Sequence, residues 1–361
     1  MFDLTKHPEN VLTVASTLHE AMEAIQVNGH HLTVVVNGDG RLHGIITDGD
    51  IRRALIAGAV PDNGIADYFQ PHPSAAEASK GVEDVRRLIQ ETGVEALPVV
   101  DDDGRPVALF HLRDLSLNYG DRIGHIGFGG AVIMAGGEGR RLRPLTESLP
   151  KPLVDVGGRP VIDYLVEKLS NTGIDNLHVS INYLGDQIKE HLGDGSGFGT
   201  NIQYLEENQK LGTAGALSLL KAPVDGPILV MNGDILTSFS FEQMLSFHKS
   251  AGSALTVGVA EYHIPVPYGV FTIKNGCITG LKEKPEARVH INAGIYLLES
   301  RLIERIPKHT YYDMTSVIDD CLANGETVAP FLIHEDWIDI GNPSDLERAR
   351  SLLDPKKKSS T

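Results

Sequence analysis

The stretch AVIMAGGEGRRLRPLT at positions 131–146, followed by Pro150-Lys151-Pro152-Leu153, constrains the chain more than any other part of it. Its first five residues are small or apolar and read as a strand buried in a parallel sheet. Gly136, Gly137 and Gly139 then let the backbone turn sharply and bring its N–H groups close to an anion. Arg141 and Lys151 add fixed positive charge, the arginine suited to a two-pronged phosphate contact and the lysine to a point contact. The pair points to polyphosphate chemistry. No Gly-Lys-Ser/Thr ending follows, which argues against a P-loop, and the third glycine of a dinucleotide fingerprint is missing. Taken alone, the glycines fit an ordinary tight strand-to-helix turn.

A chain of 361 residues with 41% hydrophobic content has room for two or three folded domains. Its 32 Lys and Arg against 48 Asp and Glu leave a net charge of −16, which disfavours nucleic-acid backbone binding. Small anions must then be held by local basic groups. The N-terminus lacks the apolar core of a signal peptide and no run is long enough to span a membrane, so a soluble cytoplasmic protein is expected. Cys277 and Cys321 are too few and too far apart for a metal knuckle, and idle thiols are expected.

Before the glycine-rich stretch, a helix–strand–turn–strand–helix pattern occurs twice. The first copy has a helix over 18–27, strands over 32–36 and 42–46 around the turn Asn37-Gly38-Asp39-Gly40, and a helix from Asp50. The second has a helix over 82–92 and strands over 97–100 and 106–110 around Asp101-Asp102-Asp103-Gly104. This tandem repeat resembles a pair of CBS domains. In the first copy Gly44-Ile45-Ile46-Thr47-Asp48-Gly49-Asp50 matches that family's ligand motif, which implies that Thr47 and Asp50 address the ribose and phosphate of a regulatory nucleotide. The second copy has His111 at the hydroxyl position and keeps Asp114. Asp50 could equally cap its helix, and the pair could serve as a dimerisation surface. A homodimer is expected.

From position 131 the strands and helices alternate with short glycine-rich junctions, which implies a doubly wound α/β fold with a mixed, mostly parallel sheet. The expected helices include 161–171, 185–191 and 213–220; the expected strands include 177–182, 202–206 and 228–232. Residues 255–262, a hairpin around Lys274-Asn275-Gly276, and 291–298 are expected to add antiparallel pieces to the sheet. The resulting domains are two CBS units at 1–60 and 61–118, a linker at 119–130, a catalytic domain at 131–353 and a disordered tail at 354–361.

The whole run Gly-Gly-x-Gly-x-Arg-Leu-x-Pro-Leu-Thr with Pro-Lys-Pro resembles the signature of sugar-1-phosphate nucleotidyltransferases, departing from the commonest form at Arg140, where Thr is usual. The resemblance implies a Rossmann-like nucleotidyltransferase domain in which Ala135, Gly136, Gly137 and Gly139 hold the nucleotide, and Arg141 and Lys151 are catalytic. Asp234, at the end of the apolar strand 228–232, sits where a parallel sheet presents a carboxylate suited to Mg²⁺. Asn232-Gly233-Asp234 and Trp337-Ile338-Asp339 also match the family's metal segments, which implies Asp234 and Asp339 as the metal carboxylates; Asp336 is a nearby decoy. Tyr268-Gly269-Val270, Glu283-Lys284-Pro285 and Asn292-Ala293-Gly294 look like the family's sugar-phosphate segments, implying Gly269, Glu283, Lys284 and Asn292 as the pocket.

Leu211-Gly212-Thr213-Ala214-Gly215 resembles the base-binding segment, which implies Gly212 and Thr213 as nucleotide contacts. Glu207 then stands where uridylyl and thymidylyl enzymes usually carry Gln. Guanine presents two adjacent N–H donors, which a carboxylate can accept, whereas uracil and thymine offer one donor flanked by acceptors. GTP is therefore the favoured nucleotide, with Glu206 as the register alternative and UTP or dTTP as the alternative nucleotides. The fused CBS pair is similar to the guanylyltransferases of bacterial surface-sugar pathways, including those acting on glucosamine 1-phosphate before legionaminic acid. Mannose and manno-heptose 1-phosphates remain open. A silent nucleotide-sugar sensor is the reading from another class, disfavoured by retention of Arg141, Lys151, Asp234 and Asp339 together.

Overall fold

The computed structural model describes residues 2–80, 85, 88, 94, 96–111, 127–174, 176–220 and 225–353. Most of the expected helix over 82–92, Asp114, nearly all of the linker and the tail at 354–361 lie outside the described residues. The chain divides into two compact units, Met1–Gly124 and His125–Thr361.

The first unit contains strands β1 (Phe2–Asp3), β2 (Val11–Thr13), β3 (Leu32–Val36), β4 (Leu42–Thr47), β5 (Gln70–Pro71), β6 (Ala76–Glu77), β7 (Ala96–Val100) and β8 (Pro106–His111). They form two four-stranded sheets in the orders β2-β3-β4-β5 and β6-β7-β8-β1, each with one parallel pair followed by two antiparallel ones. The repeat seen in the sequence is thus a repeat of sheet topology. It extends to the turns: Asn37 Oδ1 accepts the Asp39 and Arg41 N–H groups, and Asp101 Oδ1 accepts those of Asp103 and Arg105. An Asx turn fixes each hairpin in the same way. Leu4, Leu32, Val34, Ala96 and Leu109 pack into one cluster that joins the sheets.

The helix after β4 runs Asp48–Ile56 and starts two residues earlier than expected, because Thr47 is its N-cap. Thr47 Oγ1 accepts the Asp50 N–H at 3.1 Å, and Asp50 Oδ2 accepts the Thr47 N–H at 2.9 Å, a reciprocal capping box. Arg53 and Gln70 also donate to the Asp50 carboxylate, which is 8% exposed. Thr47→Ala is expected to cost about 1 kcal/mol of this unit's stability, with Thr47→Ser retaining most of it. Urea unfolding of the two variants checks this; identical midpoints for wild type and Thr47→Ala would show that the cap contributes nothing.

The second unit contains β9 (Gly130–Met134), β10 (Asn176–Ile181), β11 (Asn201–Glu206), β12 (Ile228–Asn232), β13 (Ile235–Thr237), β14 (Leu255–Pro265), β15 (Val270–Lys274), β16 (Cys277–Lys282), β17 (Glu286–Leu298), β18 (Val328–Ile333) and β19 (Trp337–Asp339). Seven of them form a sheet in the order β11-β10-β9-β12-β17-β14-β18. Pairs within β11-β10-β9-β12 are parallel, β17 is antiparallel to both its neighbours, and β14 with β18 is parallel again. The sheet is mixed and mostly parallel. β9 lies inside the sheet between β10 and β12, and its side chains alternate between two cores: Ala131 and Ile133 join Ile162, Leu165 and Phe241, while Val132 joins Leu217, Val230 and Met314. Burial on both faces is why this strand is a continuous apolar run.

Two expectations are corrected here. The segment expected as a helix over 213–220 is a single turn, Gly212–Gly215, followed by a 3-10 turn, Ala216–Leu219. The hairpin around Asn275 does not add to the large sheet; β15 and β16 form a separate two-stranded ribbon. A smaller core of Leu142, Val154, Val156, Leu236, Ile338 and Ile340 anchors the loop after β9 against the β13–β19 pair. Among the described residues no helix is long and apolar enough to cross a membrane.

Candidate active site

The site is built where β9 and β12 end side by side. Gly233 N–H bonds to Met134 O at 2.9 Å, and a Cβ on Gly233 would lie 3.0 Å from that oxygen, so the two strand ends approach through a glycine. Asp234 follows at once. It lies directly before β13, which pairs antiparallel with β19 and sets Ile235 opposite Asp339. The Ile340 N–H donates to Asp234 O at 3.0 Å and closes the ladder. A short two-stranded pairing thus brings together two carboxylates far apart in the chain.

Lys151 reaches this pair from the loop after β9. Its ammonium forms an ion pair with Asp234 and lies 3.8 Å from Asp339 Oδ1. Burial, and then the charge of Asp234, push the Asp339 carboxyl above its ordinary value, while Lys151 and Arg141 pull it back. Arg141 lies against Gly341: a Cβ there would sit 3.1–3.3 Å from the guanidinium, so this glycine leaves room for the arginine. Asp234 Oδ1 and Asp339 Oδ1 are both buried with no hydrogen-bond partner. Two orphaned carboxylate oxygens beside a lysine and a glycine-rich loop suit a hard divalent cation that completes its shell with water and other oxygen ligands. Among the described residues no group of three or more His, Cys, Asp or Glu could hold a metal, so the protein's share would be these two. Asp336 is exposed, and its carbonyl accepts the Ser238 N–H.

The glycine loop is shaped by close approaches. A Cβ on Gly136 would lie 3.0 Å from Glu207 Oε1 and 3.1 Å from Asn182 Cβ. Gly139 adopts φ +61°, and a Cβ there would crowd Lys151 and Thr146 at 3.0 Å. Thr146 Oγ1 donates to Gly139 O at 2.8 Å and holds the turn. Around Gly137, by contrast, the space is open. Ala135 is buried, its N–H donating to Ser180 O at 2.9 Å.

Glu207 follows β11 and turns toward the glycine loop. Its Oε1 accepts Ser180 Oγ–H at 2.5 Å and its Oε2 accepts the Leu211 N–H at 2.8 Å. Asn182 Nδ2 donates to its carbonyl at 2.7 Å. Glu206 points the other way, exposed and 2.8 Å from Lys189. Gly212 and Thr213 are tied to a distant segment: Thr213 N and Oγ1 both donate to Asp313 Oδ1, and Gly212, at φ +80°, has no room for a Cβ beside Asp313 and Tyr312.

The candidate sugar residues fall into two groups. Gly269 abuts Glu283, whose Oε2 would be 3.0 Å from an added Cβ, and Lys284 takes a positive φ of 44° at the end of the ribbon. Asn292 Oδ1 accepts the Gly294 N–H at 2.9 Å, and Gly294 in turn leaves room for Asn232, two residues before Asp234. No hydrogen bond or ion pair among the described residues links Glu283 or Lys284 to the Lys151–Asp234–Asp339 group.

Sequence reasoning missed Ser180, Asn182 and Gly341. Ser180 carried no clear signal, because β10 reads Asn-Leu-His-Val-Ser-Ile and its polar residues simply alternate with apolar ones, yet the structure buries it wholly. Gly341 carried none that could be separated from an ordinary turn glycine.

Residues 130–355 match the nucleotidyl transferase family over more than half of the chain. The chain belongs to that family. Ahead of its nucleotidyl transferase domain, residues 3–57 and 65–119 match the CBS domain, so the chain carries a tandem CBS pair. The chain is 36% identical over 242 residues to a rice protein (Oryza sativa subsp. japonica) named "Probable mannose-1-phosphate guanylyltransferase 2", covering 64% of this chain and 66% of that one. The Drosophila pseudoobscura pseudoobscura protein named mannose-1-phosphate guanylyltransferase catalytic subunit beta is 34% identical over 223 residues, 60% of each chain. The chain thus spans less than two thirds of the length of these relatives, 66% of the rice protein and 60% of the fly protein. A Bacillus anthracis crystal structure, assigned as a glucose-1-phosphate thymidylyltransferase and containing a sucrose, superposes with a TM-score of 0.51 at 26% identity, over 63% of this chain and 95% of that one.

Proposed function

We propose that this nucleotidyl transferase joins a sugar 1-phosphate to the α-phosphorus of GTP with Mg²⁺, releasing pyrophosphate and a GDP-sugar. The observation that carries the reading is the Lys151–Asp234–Asp339 group beside Arg141 at the ends of β9 and β12. The names of the rice and fly relatives support guanylyl transfer and make mannose 1-phosphate the first acceptor to test.

The chemistry asks for alignment and charge neutralisation. A sugar 1-phosphate is already an oxyanion near neutral pH, its second pKa being about 6, so no side chain has to generate the nucleophile. Its oxygen attacks the α-phosphorus in line, and the bond to the β-phosphate oxygen breaks. Arg141 neutralises the departing phosphates, and Lys151 sits at the α-phosphate and the attacking group. Mg²⁺ held by Asp234 and Asp339 supplies further charge neutralisation at the phosphates when bound. Gly269, Glu283, Lys284 and Asn292 take the sugar phosphate, and Gly136, Gly137, Gly212 and Glu207 take the nucleotide. The CBS pair enters this reading either as the site of a regulatory nucleotide addressed by Thr47 and Asp50 or as framework, and the capping box those two residues form is compatible with both.

Pyrophosphate release is the test, with GTP, UTP, dTTP, CTP and ATP each against mannose, glucosamine, glucose and manno-heptose 1-phosphates. GTP is expected to exceed UTP and dTTP by about tenfold or more with one of these sugars. Turnover led by UTP or dTTP keeps the reaction and removes the base assignment. Silence across the whole matrix removes the reaction.

A further inference from the structure

Asp313 occupies the N-cap position of the helix Met314–Ala323, yet its side chain makes no bond to that helix. An aspartate at an N-cap ordinarily accepts an N–H from its own first turn. Here Oδ1 instead accepts the Thr213 N–H at 2.9 Å and the Thr213 hydroxyl at 3.1 Å, 100 residues away. Thr213 Oγ1 returns the contact by accepting the Met314 N–H at 2.9 Å. The exchange is reciprocal.

The neighbours of both residues extend the joint. Tyr312 N–H donates to Leu211 O at 2.8 Å, and Tyr312 O accepts the N–H groups of Ala214 and Gly215, each at 2.9 Å. Gln209 Nε2 donates to His309 O at 2.7 Å. The contact is so close that a Cβ on Gly212 would lie 2.7 Å from Asp313 Oδ1, and one on Gly215 2.7 Å from Thr310 O. The loop 209–215 is therefore held along its length by the segment 309–314. Leu211 stands at the centre of it: its carbonyl is fixed by Tyr312, and its N–H holds Glu207 Oε2.

We propose that Asp313 is a positioning residue for nucleotide choice, clamping the loop through Thr213 so that the Leu211 N–H holds the Glu207 carboxylate in its aim at the base. The inference rests on the reading of Glu207 as the residue that meets the base. Asp313 has no contact with the base in this scheme and acts only through the loop. Loss of the Asp313 side chain removes the Thr213 bonds while Tyr312 still holds the Leu211 carbonyl. The slackened loop lets the Leu211 N–H, and with it the carboxylate, shift, which weakens a ligand needing two acceptors more than one needing a single acceptor.

The experiment is calorimetric binding of GTP and of UTP to the full-length wild type, Asp313→Ala and Asp313→Asn, with thermal unfolding of each. Asp313→Ala is expected to weaken GTP about tenfold and UTP less than twofold, compressing the preference by about the same factor. Asp313→Asn keeps an oxygen acceptor for Thr213 and is expected to retain the preference within about threefold. Equal weakening of both nucleotides, or an unchanged preference with a lowered unfolding temperature, overturns the proposal and leaves Asp313 as a packing residue. Should Asp313→Ala fail to fold, Thr213→Val removes one of the two donors, and an unchanged preference in it overturns the proposal as well. A wild type that binds GTP no better than UTP overturns the Glu207 reading and this inference with it; a selective wild type beside an equally selective Asp313→Ala overturns this inference alone.

Discussion

Asp234→Asn is expected to fold as the wild type does and to lose pyrophosphate release by about a thousandfold, the upper range for removing one preorganised charge-stabilising group. The fold should be indifferent because the main chain of this residue does the structural work, its carbonyl accepting the Ile340 N–H at the start of the β13–β19 pairing. The side chain is balanced between two effects. Asparagine gives up the ion pair with Lys151, and it also removes the negative charge that helps raise the Asp339 carboxyl. Activity has no such compensation, since Asn offers a neutral oxygen where a dication calls for a full negative charge. Thermal unfolding together with single-turnover pyrophosphate release separates the two. A variant that melts with the wild type and still turns over within tenfold of it would place Asp234 outside the reacting group.

That experiment bears on a residue the chain shows plainly. Residues 131–135 could be read as a buried strand because burial on both faces demands an unbroken apolar run, and β9 occupies 130–134 with Ala131, Val132 and Ile133 wholly buried. Asp234 was legible for a related reason: it is the first charged residue after another such run, at the end of a strand where open parallel sheets place their ligands. Asp339 was not legible from local pattern. Its place beside Asp234 depends on a three-residue antiparallel pairing across the unit, and only the resemblance to a known family pointed to it.

The failures lie in what local pattern leaves open. Residues 212–220 have helix-compatible composition, but after the turn Gly212–Gly215 the backbone tightens to the 3-10 turn Ala216–Leu219 and Leu220 is extended. The N–H groups of Thr213, Ala214 and Gly215, which any helix start leaves without an intrahelical partner, go to Asp313 and Tyr312. The ribbon β15–β16 has the alternation and Asn-Gly turn of a hairpin, and the turn sets the pairing of Lys274 with Cys277 and Ile273 with Ile278, beyond which the register shifts by one residue. Nothing local says whether such a hairpin joins a larger sheet. Thr47 and Asp50 show the opposite case, where a short-range pattern had two readings. Their spacing satisfies a ligand motif and a capping box equally, and the hydrogen bonds of the cap leave the ligand reading open.

Glu207→Gln is expected to invert the nucleotide preference, cutting kcat/KM for GTP about a hundredfold and raising that for UTP or dTTP a few-fold. The argument begins with the two donors already on the carboxylate. Leu211 N–H can only donate, so the amide oxygen of a glutamine must face it, which directs the amide nitrogen to Ser180. Ser180 tolerates this, because a hydroxyl rotates from donor to acceptor at no cost in position. The variant side chain is then fixed in one orientation, with one acceptor and one donor along the edge where the wild type has two acceptors. Guanine brings two N–H donors to that edge, and one of them now meets an N–H; uracil and thymine bring a donor beside an acceptor and fit it. An unmatched polar contact of this kind costs about 1–3 kcal/mol, enough for the stated change. Competition between GTP and UTP for a single acceptor sugar, followed by product analysis, reads the preference directly. A Glu207→Gln enzyme that still prefers GTP by the wild-type ratio would mean that the base is met elsewhere, and that the Ser180–Glu207–Leu211 arrangement serves only to close the loop.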